Sequence, residues 1–128
     1  MAERNENEIS RFILDSAFRV HTALGPGLLE SAYEACLAHE LRDAGLKVRA
    51  QVPLPLIYKS VKLDVGYRLD LLVDELVVVE IKAVEALIPI HQAQLLSHLK
   101  LSGKKLGILI NFHVLHLKQG IKRVVNGL

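Results

Sequence analysis

The 128-residue chain predicts one α/β domain, a mixed sheet with helices packed on its faces, and three features carry that reading. Two stretches of helical periodicity come first, separated by Gly25-Pro26-Gly27. The run Tyr67 to Ala83, YRLDLLVDELVVVEIKA, is dominated by β-branched and leucine residues and reads as two strands joined by a tight turn at Asp74-Glu75. A third helical stretch and the apolar run KLGILIN follow, so that helix is expected to cross over between strands of one sheet.

Taken in order, residues 1–7 are polar and are expected to be disordered. From Glu8, the residues Ile9, Phe12, Ile13, Ala17, Val20 and Leu24 recur at helical spacing up to the Gly-Pro-Gly stop. The second helix is expected from about Leu28 to Ala44, with Leu29, Ala32, Tyr33, Cys36, Leu37 and Leu41 inward and Gly45 closing it. Lys47 to Val52 and Leu54 to Tyr58 are short extended segments, confined by Pro53 and Pro55 to a sheet edge or a kinked strand. Pro89 suits the first turn of the third helix, Ile90 to Leu101, which Gly103 ends. Lys105 to Asn111 is a buried strand, and His113 to Val125 fits strand and helix equally.

With 51% hydrophobic residues, 5% aromatic and no Trp, the core must be aliphatic. The formal charge of +2 permits nucleic-acid binding without requiring it. A single cysteine, Cys36, excludes an internal disulfide framework and fits a reducing compartment. No apolar run approaches the roughly 20 residues of a membrane span, and MAERNENEIS lacks the apolar segment of a secretory signal. A cytoplasmic protein without a membrane partner is expected.

Three ionisable residues sit where a buried strand wants none: Asp70 in the first strand of the hairpin, and Glu80 and Lys82 near the end of the second. Glu80 and Lys82, two apart, leave the same face of a strand. Asp70 joins them only if position 70 pairs with 80. That register demands a three-residue loop, Asp74 to Leu76, or a bulge, whereas a two-residue turn would send Asp70 to the opposite face. Two carboxylates and a lysine on one face suit Mg²⁺ or Mn²⁺ chemistry on phosphate, with Lys82 positioning water or stabilising transition-state charge. The plainer alternative is a salt bridge of Lys82 with Asp70 or Glu80.

Other residues could support such a site. Glu30 begins the second helix, where an acid complements the helix dipole or reaches a metal, and Tyr33 shares its face as core aromatic or substrate contact. His91, Gln94 and His98 form a polar stripe on the third helix. The six histidines and one cysteine show no zinc spacing, and neither a nucleophilic-serine motif nor a phosphate-cradling glycine loop is present.

The run Gly27-Leu28-Leu29-Glu30-Ser31-Ala32-Tyr33 resembles the signature of the GxxExxY protein family, a branch of the PD-(D/E)XK nuclease superfamily. The likeness continues through QVPLPLIYK, the hairpin, HQAQLLSHLKLSG and GILINF, and so covers nearly the whole chain. It implies a restriction-endonuclease-like mixed β-sheet core flanked by α-helices in a single domain over 1–128. It further implies Asp70 as the central acid, Glu80-Ile81-Lys82 as the E-x-K, metal assistance from Glu30 and substrate orientation by Gln94, with Tyr33 and His98 beside it. Two positions depart from the pattern: Leu69 stands where the superfamily has proline, and His98 where related exonuclease-like branches have tyrosine.

The expectation is therefore a nuclease with catalytic Asp70, Glu80 and Lys82, metal ligands Glu30, Asp70 and Glu80, and orienting residues Gln94, Tyr33 and His98. It would use Mg²⁺ or Mn²⁺ and act on nucleic acid, on DNA in preference to RNA, with Lys100, Lys104, Lys105, Lys122 and Arg123 gripping phosphates. The alternatives are a catalytically silent nucleic-acid-binding or assembly module on the same fold, and a hydrolase of small phosphorylated metabolites. Oligomeric state is left open, a homo-oligomer included.

Overall fold

The computed structural model describes residues 3–128. Helix α1 (Glu6–Leu24) leads into α2 (Glu30–Asp43), followed by β1 (Val48–Pro53), a small hairpin of β2 (Leu56–Tyr58) and β3 (Val61–Leu63), and the central hairpin of β4 (Arg68–Val73) and β5 (Val77–Lys82). Helix α3 (Pro89–Ser102), β6 (Leu106–Asn111), a single 3₁₀ turn (Leu117–Gly120) and β7 (Ile121–Val125) complete the chain. The last two resolve the ambiguous tail into a turn and an edge strand.

The main sheet has the order β1-β4-β5-β6-β7, with β5 and β6 parallel and the other pairs antiparallel. Only the parallel pair needs a crossover, and α3 supplies it. Helices α1 and α2 cover one face, where Ile9, Ile13, Tyr33 and Leu37 pack on Val77, Val79, Ile108 and Ile110. On the other face α3 sets Leu95 and Leu99 against Leu72, Val78 and Leu109. A Cβ on Gly107 would meet the Leu95 side chain at 2.8 Å, so the missing side chain of β6 is what lets α3 lie close.

Some expectations need correction. Residues 1 and 2 lie outside the described residues, but the expected disorder does not extend across residues 4–7. Asn5 caps α1 by accepting the Glu8 N–H at 2.9 Å, Glu8 returns the bond to the Asn5 N–H at 3.2 Å, and Arg4 pairs with Asp74. Leu29 does not face inward: it is the N-cap residue of α2 and is 76% exposed. Phe12 and Leu24 are also exposed, because the inward stripe of α1 runs instead through Ile9, Ile13, Ser16, Ala17 and Val20.

Candidate functional site

Val73↔Val77 closes the central hairpin, so its loop is Asp74-Glu75-Leu76, the three-residue form that brings positions 70 and 80 level. Asp74 and Glu75 have φ of 51° and 59°, a left-handed conformation that costs a residue with a Cβ roughly 1–2 kcal/mol. Specific contacts offset it. The Asp74 carboxylate accepts the Lys47 N–H at 2.8 Å, and Arg49 donates two bonds of 2.7 Å to Glu75.

Asp70 lies where strand alternation slips. Leu71 and Val73 face the α1–α2 core, yet Leu72 and Leu69, three apart, both face α3, which a regular strand does not allow. The neighbouring strand is distorted at the same level, for Gln51, opposite Asp70 in the register of Ala50↔Leu71 and Val52↔Leu69, has φ 54°. The recorded β4–β5 pairing stops at Leu71↔Val79. Past that point the half-buried Asp70 carboxylate replaces the ladder, accepting the Ile81 N–H through Oδ2 at 2.8 Å.

Glu80 is buried, 7% exposed, on the α3 side of the sheet. Its Oε1 lies 3.0 Å from Nδ1 of His98 on α3. Burial raises the Glu80 pKa, the His98 hydrogen bond lowers it, the charge of Asp70 raises it again, and the result is about 7. The charge of Asp70 thus acts on a carboxylate in a poorly hydrated place.

Lys82 is half-buried, and among the described residues no carboxylate lies within 4.0 Å of its ammonium. The structural salt bridge to Asp70 or Glu80 is thus not formed. Its strand neighbour is the buried Asn111, whose Oδ1 accepts from Val84 and His113 N–H and whose Nδ2 donates to Val84 O at 2.8 Å. Asn111 clamps the chain just beyond Lys82, a role invisible while it reads only as the last residue of KLGILIN.

Glu30 is exposed and accepts the Ala83 N–H at 3.1 Å, beyond the end of β5. Among the described residues no three Asp, Glu, His or Cys side chains gather as a metal cage, so the expected trio Glu30, Asp70 and Glu80 is not brought together as one cluster. Glu34, one turn further along α2, bonds Gln51, the residue opposite Asp70 in the β1–β4 register, and feels the Asp70 charge. Burial raises its pKa, a 2.6 Å bond from Gln51 lowers it, and the charge of Asp70 raises it. Sequence reasoning passed over Glu34, although its i+4 spacing from Glu30 was the available signal.

Tyr33 is fully buried. Its ring stacks on Phe112 with centroids 4.6 Å apart, and its hydroxyl donates to Gly25 O at 2.6 Å and accepts the Leu28 N–H at 3.1 Å. It shapes the turn from which Glu30 starts and presents nothing to a substrate directly. Gln94 and His98 both line a cleft of about 500 Å³ between α3 and the segment around Leu56 and Tyr67. His91 instead caps α3, accepting the Ile88 N–H at 3.1 Å.

The expected phosphate grip divides by position. Lys104 and Lys105 precede β6 at the turn end of the sheet, where Lys104 acts electrostatically on Glu75, whereas Lys82 ends the parallel strand. The six residues of β5 put roughly 17 Å between those ends. Lys122 pairs with Leu109, which pairs with Glu80, so it shares the site's face two strands away. Arg123 points to the other face and donates to Asn7 at 2.8 Å.

Among families of known proteins, residues 7–124 match the model of the PD-(D/E)XK nuclease superfamily. No curated protein and no solved structure matches the chain.

Proposed function

We propose, from the premise that this chain belongs to the PD-(D/E)XK nuclease superfamily, that it is a divalent-metal-dependent nuclease hydrolysing phosphodiester bonds of nucleic acid, with DNA as substrate. The mixed sheet with helices on both faces is the restriction-endonuclease-like fold of that superfamily, whose members generally use divalent metals on nucleic acid. The observation that carries the reading is the buried Glu80, raised by burial and by the charge of Asp70, with Lys82, which among the described residues has no carboxylate within 4.0 Å, two residues further on.

The donor set fits a hard divalent cation. Asp70 and Glu80 offer carboxylate oxygens; burial above all, with the Asp70 charge adding to it, raises Glu80 to about 7, and a cation at the site would relieve both the desolvation and the repulsion. They would hold Mg²⁺ or Mn²⁺, assisted from α2 by Glu34, whose carboxylate bonds Gln51 beside Asp70 in the β1–β4 register, or by Glu30. When bound there, such an ion neutralises phosphoryl charge and lowers the pKa of a coordinated water. The Ile81 N–H orients Asp70, and His98 orients Glu80. Lys82, at the strand end, positions the attacking water and stabilises charge on the phosphoryl oxygens. The water oxygen bonds to phosphorus as the ester P–O bond breaks; the water gives up a proton to solvent and the departing oxygen takes one from solvent.

The test is cleavage of single- and double-stranded DNA and RNA with Mg²⁺ or Mn²⁺ by the wild type beside Asp70→Asn and Lys82→Ala. Metal-dependent activity lost in both variants supports the proposal, and equal activity in all three preparations refutes it. One observation favours a second reading, a catalytically silent binding or assembly module: the described residues hold no ready-made three-ligand cage. Calorimetric titration with Mn²⁺ separates the two, since a silent module need take up none.

A further inference from the structure

The cleft beside the candidate site has walls that do not suit a phosphate backbone. Leu56, Tyr67, Ile90 and Leu101 supply apolar and aromatic surface, the polar groups are Gln94, Ser97 and His98, and no Lys or Arg lines it. Its volume is about 500 Å³. Tyr67 is 47% exposed, with its ring centroid 5.7 Å from that of His98 at an interplanar angle of 50°. His98 lines the cleft and also bonds Glu80 at 3.0 Å, so one side chain joins the cleft wall to the acidic pair behind it.

A duplex buries its bases against one another and presents phosphates outward, and phosphates call for cations. Lys104 and Lys105 lie at the other end of the sheet, and Lys100 and Lys122 are not among the residues that line the cleft. An unpaired nucleobase is the converse. Its faces stack on aromatic and apolar side chains, and its edge finds a donor and an acceptor in the Gln94 amide and the Ser97 hydroxyl. We propose that this cleft receives one unpaired nucleobase, which sets the adjoining phosphodiester toward Asp70, Glu80 and Lys82 and makes the substrate single-stranded or locally unpaired nucleic acid. The inference deepens the nuclease reading and rests on it.

The test is metal-free binding of short oligonucleotides carrying one 2-aminopurine, single-stranded and annealed, to the full chain, with cleavage assayed separately. The single strand should bind at least tenfold more tightly than the duplex and show quenched fluorescence. Tyr67→Ala should weaken it by about tenfold, as for loss of one stacked base. Ala93→Trp, on an exposed position of the cleft wall, should do the same by filling the space, and circular dichroism checks that both variants are folded. Equal affinity for duplex and single strand, or binding untouched by both substitutions, overturns the inference. Quenched single-strand binding without cleavage under any metal sinks the nuclease reading alone. Cleavage of duplex and single strand at equal rates, undiminished in Tyr67→Ala, sinks the cleft proposal alone.

Discussion

Glu80 and His98 meet at 3.0 Å across the packing of α3 on β5, tying the most deeply buried acid of the candidate site to the helix that walls the adjacent cleft. Their contact connects stability, pH and site geometry.

The first prediction concerns pH. The Glu80 pKa is raised from 4.5 to about 7, mainly by burial, so between those values the folded chain binds more protons than the unfolded one. The stability contributed by protonated Glu80 is complete below about pH 4.5 and is lost as pH rises through about 7. The loss is on the order of 3 kcal/mol at about 1.36 kcal/mol per pKa unit. Glu80→Gln carries no ionisable group, so the variant should gain on the wild type as pH rises from 5 to 8, read by urea unfolding at each pH. A constant difference between the two would contradict the buried-carboxylate account.

Divalent metal should reverse that penalty. A ligand at one hundred times its Kd stabilises a fold by about 2.7 kcal/mol. Saturating Mn²⁺ should therefore raise the melting temperature of the wild type at pH 8 and leave Asp70→Asn and Glu80→Gln almost unmoved. An equal rise in all three would place the metal elsewhere.

Tyr33→Phe separates a core role from a substrate role. The hydroxyl bonds Gly25 O and Leu28 N–H, so its removal should cost about 1–2 kcal/mol in chemical denaturation. At temperatures where the variant stays folded, KM for an oligonucleotide should be that of the wild type. A raised KM with unchanged stability would restore Tyr33 as a substrate contact.

Asn111→Ala leaves Val84 N–H, Val84 O and His113 N–H without their side-chain partner. The expected cost is roughly 2–4 kcal/mol, with faster hydrogen exchange at the Val84 and His113 amides. Unchanged exchange there would mean that Asn111 does not hold the segment after Lys82.

The sequence by itself determined the three helices, the central hairpin, the strand after α3 and the central register, but neither β3 nor the 3₁₀ turn and edge strand of the tail. The helices, the Gly-Pro-Gly break and the crossover follow from periodicity and from Gly and Pro, which act locally and so show in a short window. The three-residue loop was legible as one of two alternatives, the other a bulge, because Asp70 shares a sheet face with Glu80 only if 70 pairs with 80. The disposition of each site side chain was decided only by the tertiary structure. Asp70 turns to the Ile81 N–H because alternation slips there against the distortion at Gln51, and the packing of α2 on the sheet brings Glu34 onto Gln51, where it feels the Asp70 charge. The cleft likewise exists only once α3 has folded back beside the segment around Leu56 and Tyr67. The physical reason is range: propensity and pattern act over a few neighbours, whereas a carboxylate's partners and hydration depend on segments tens of residues away that meet only in the packed fold.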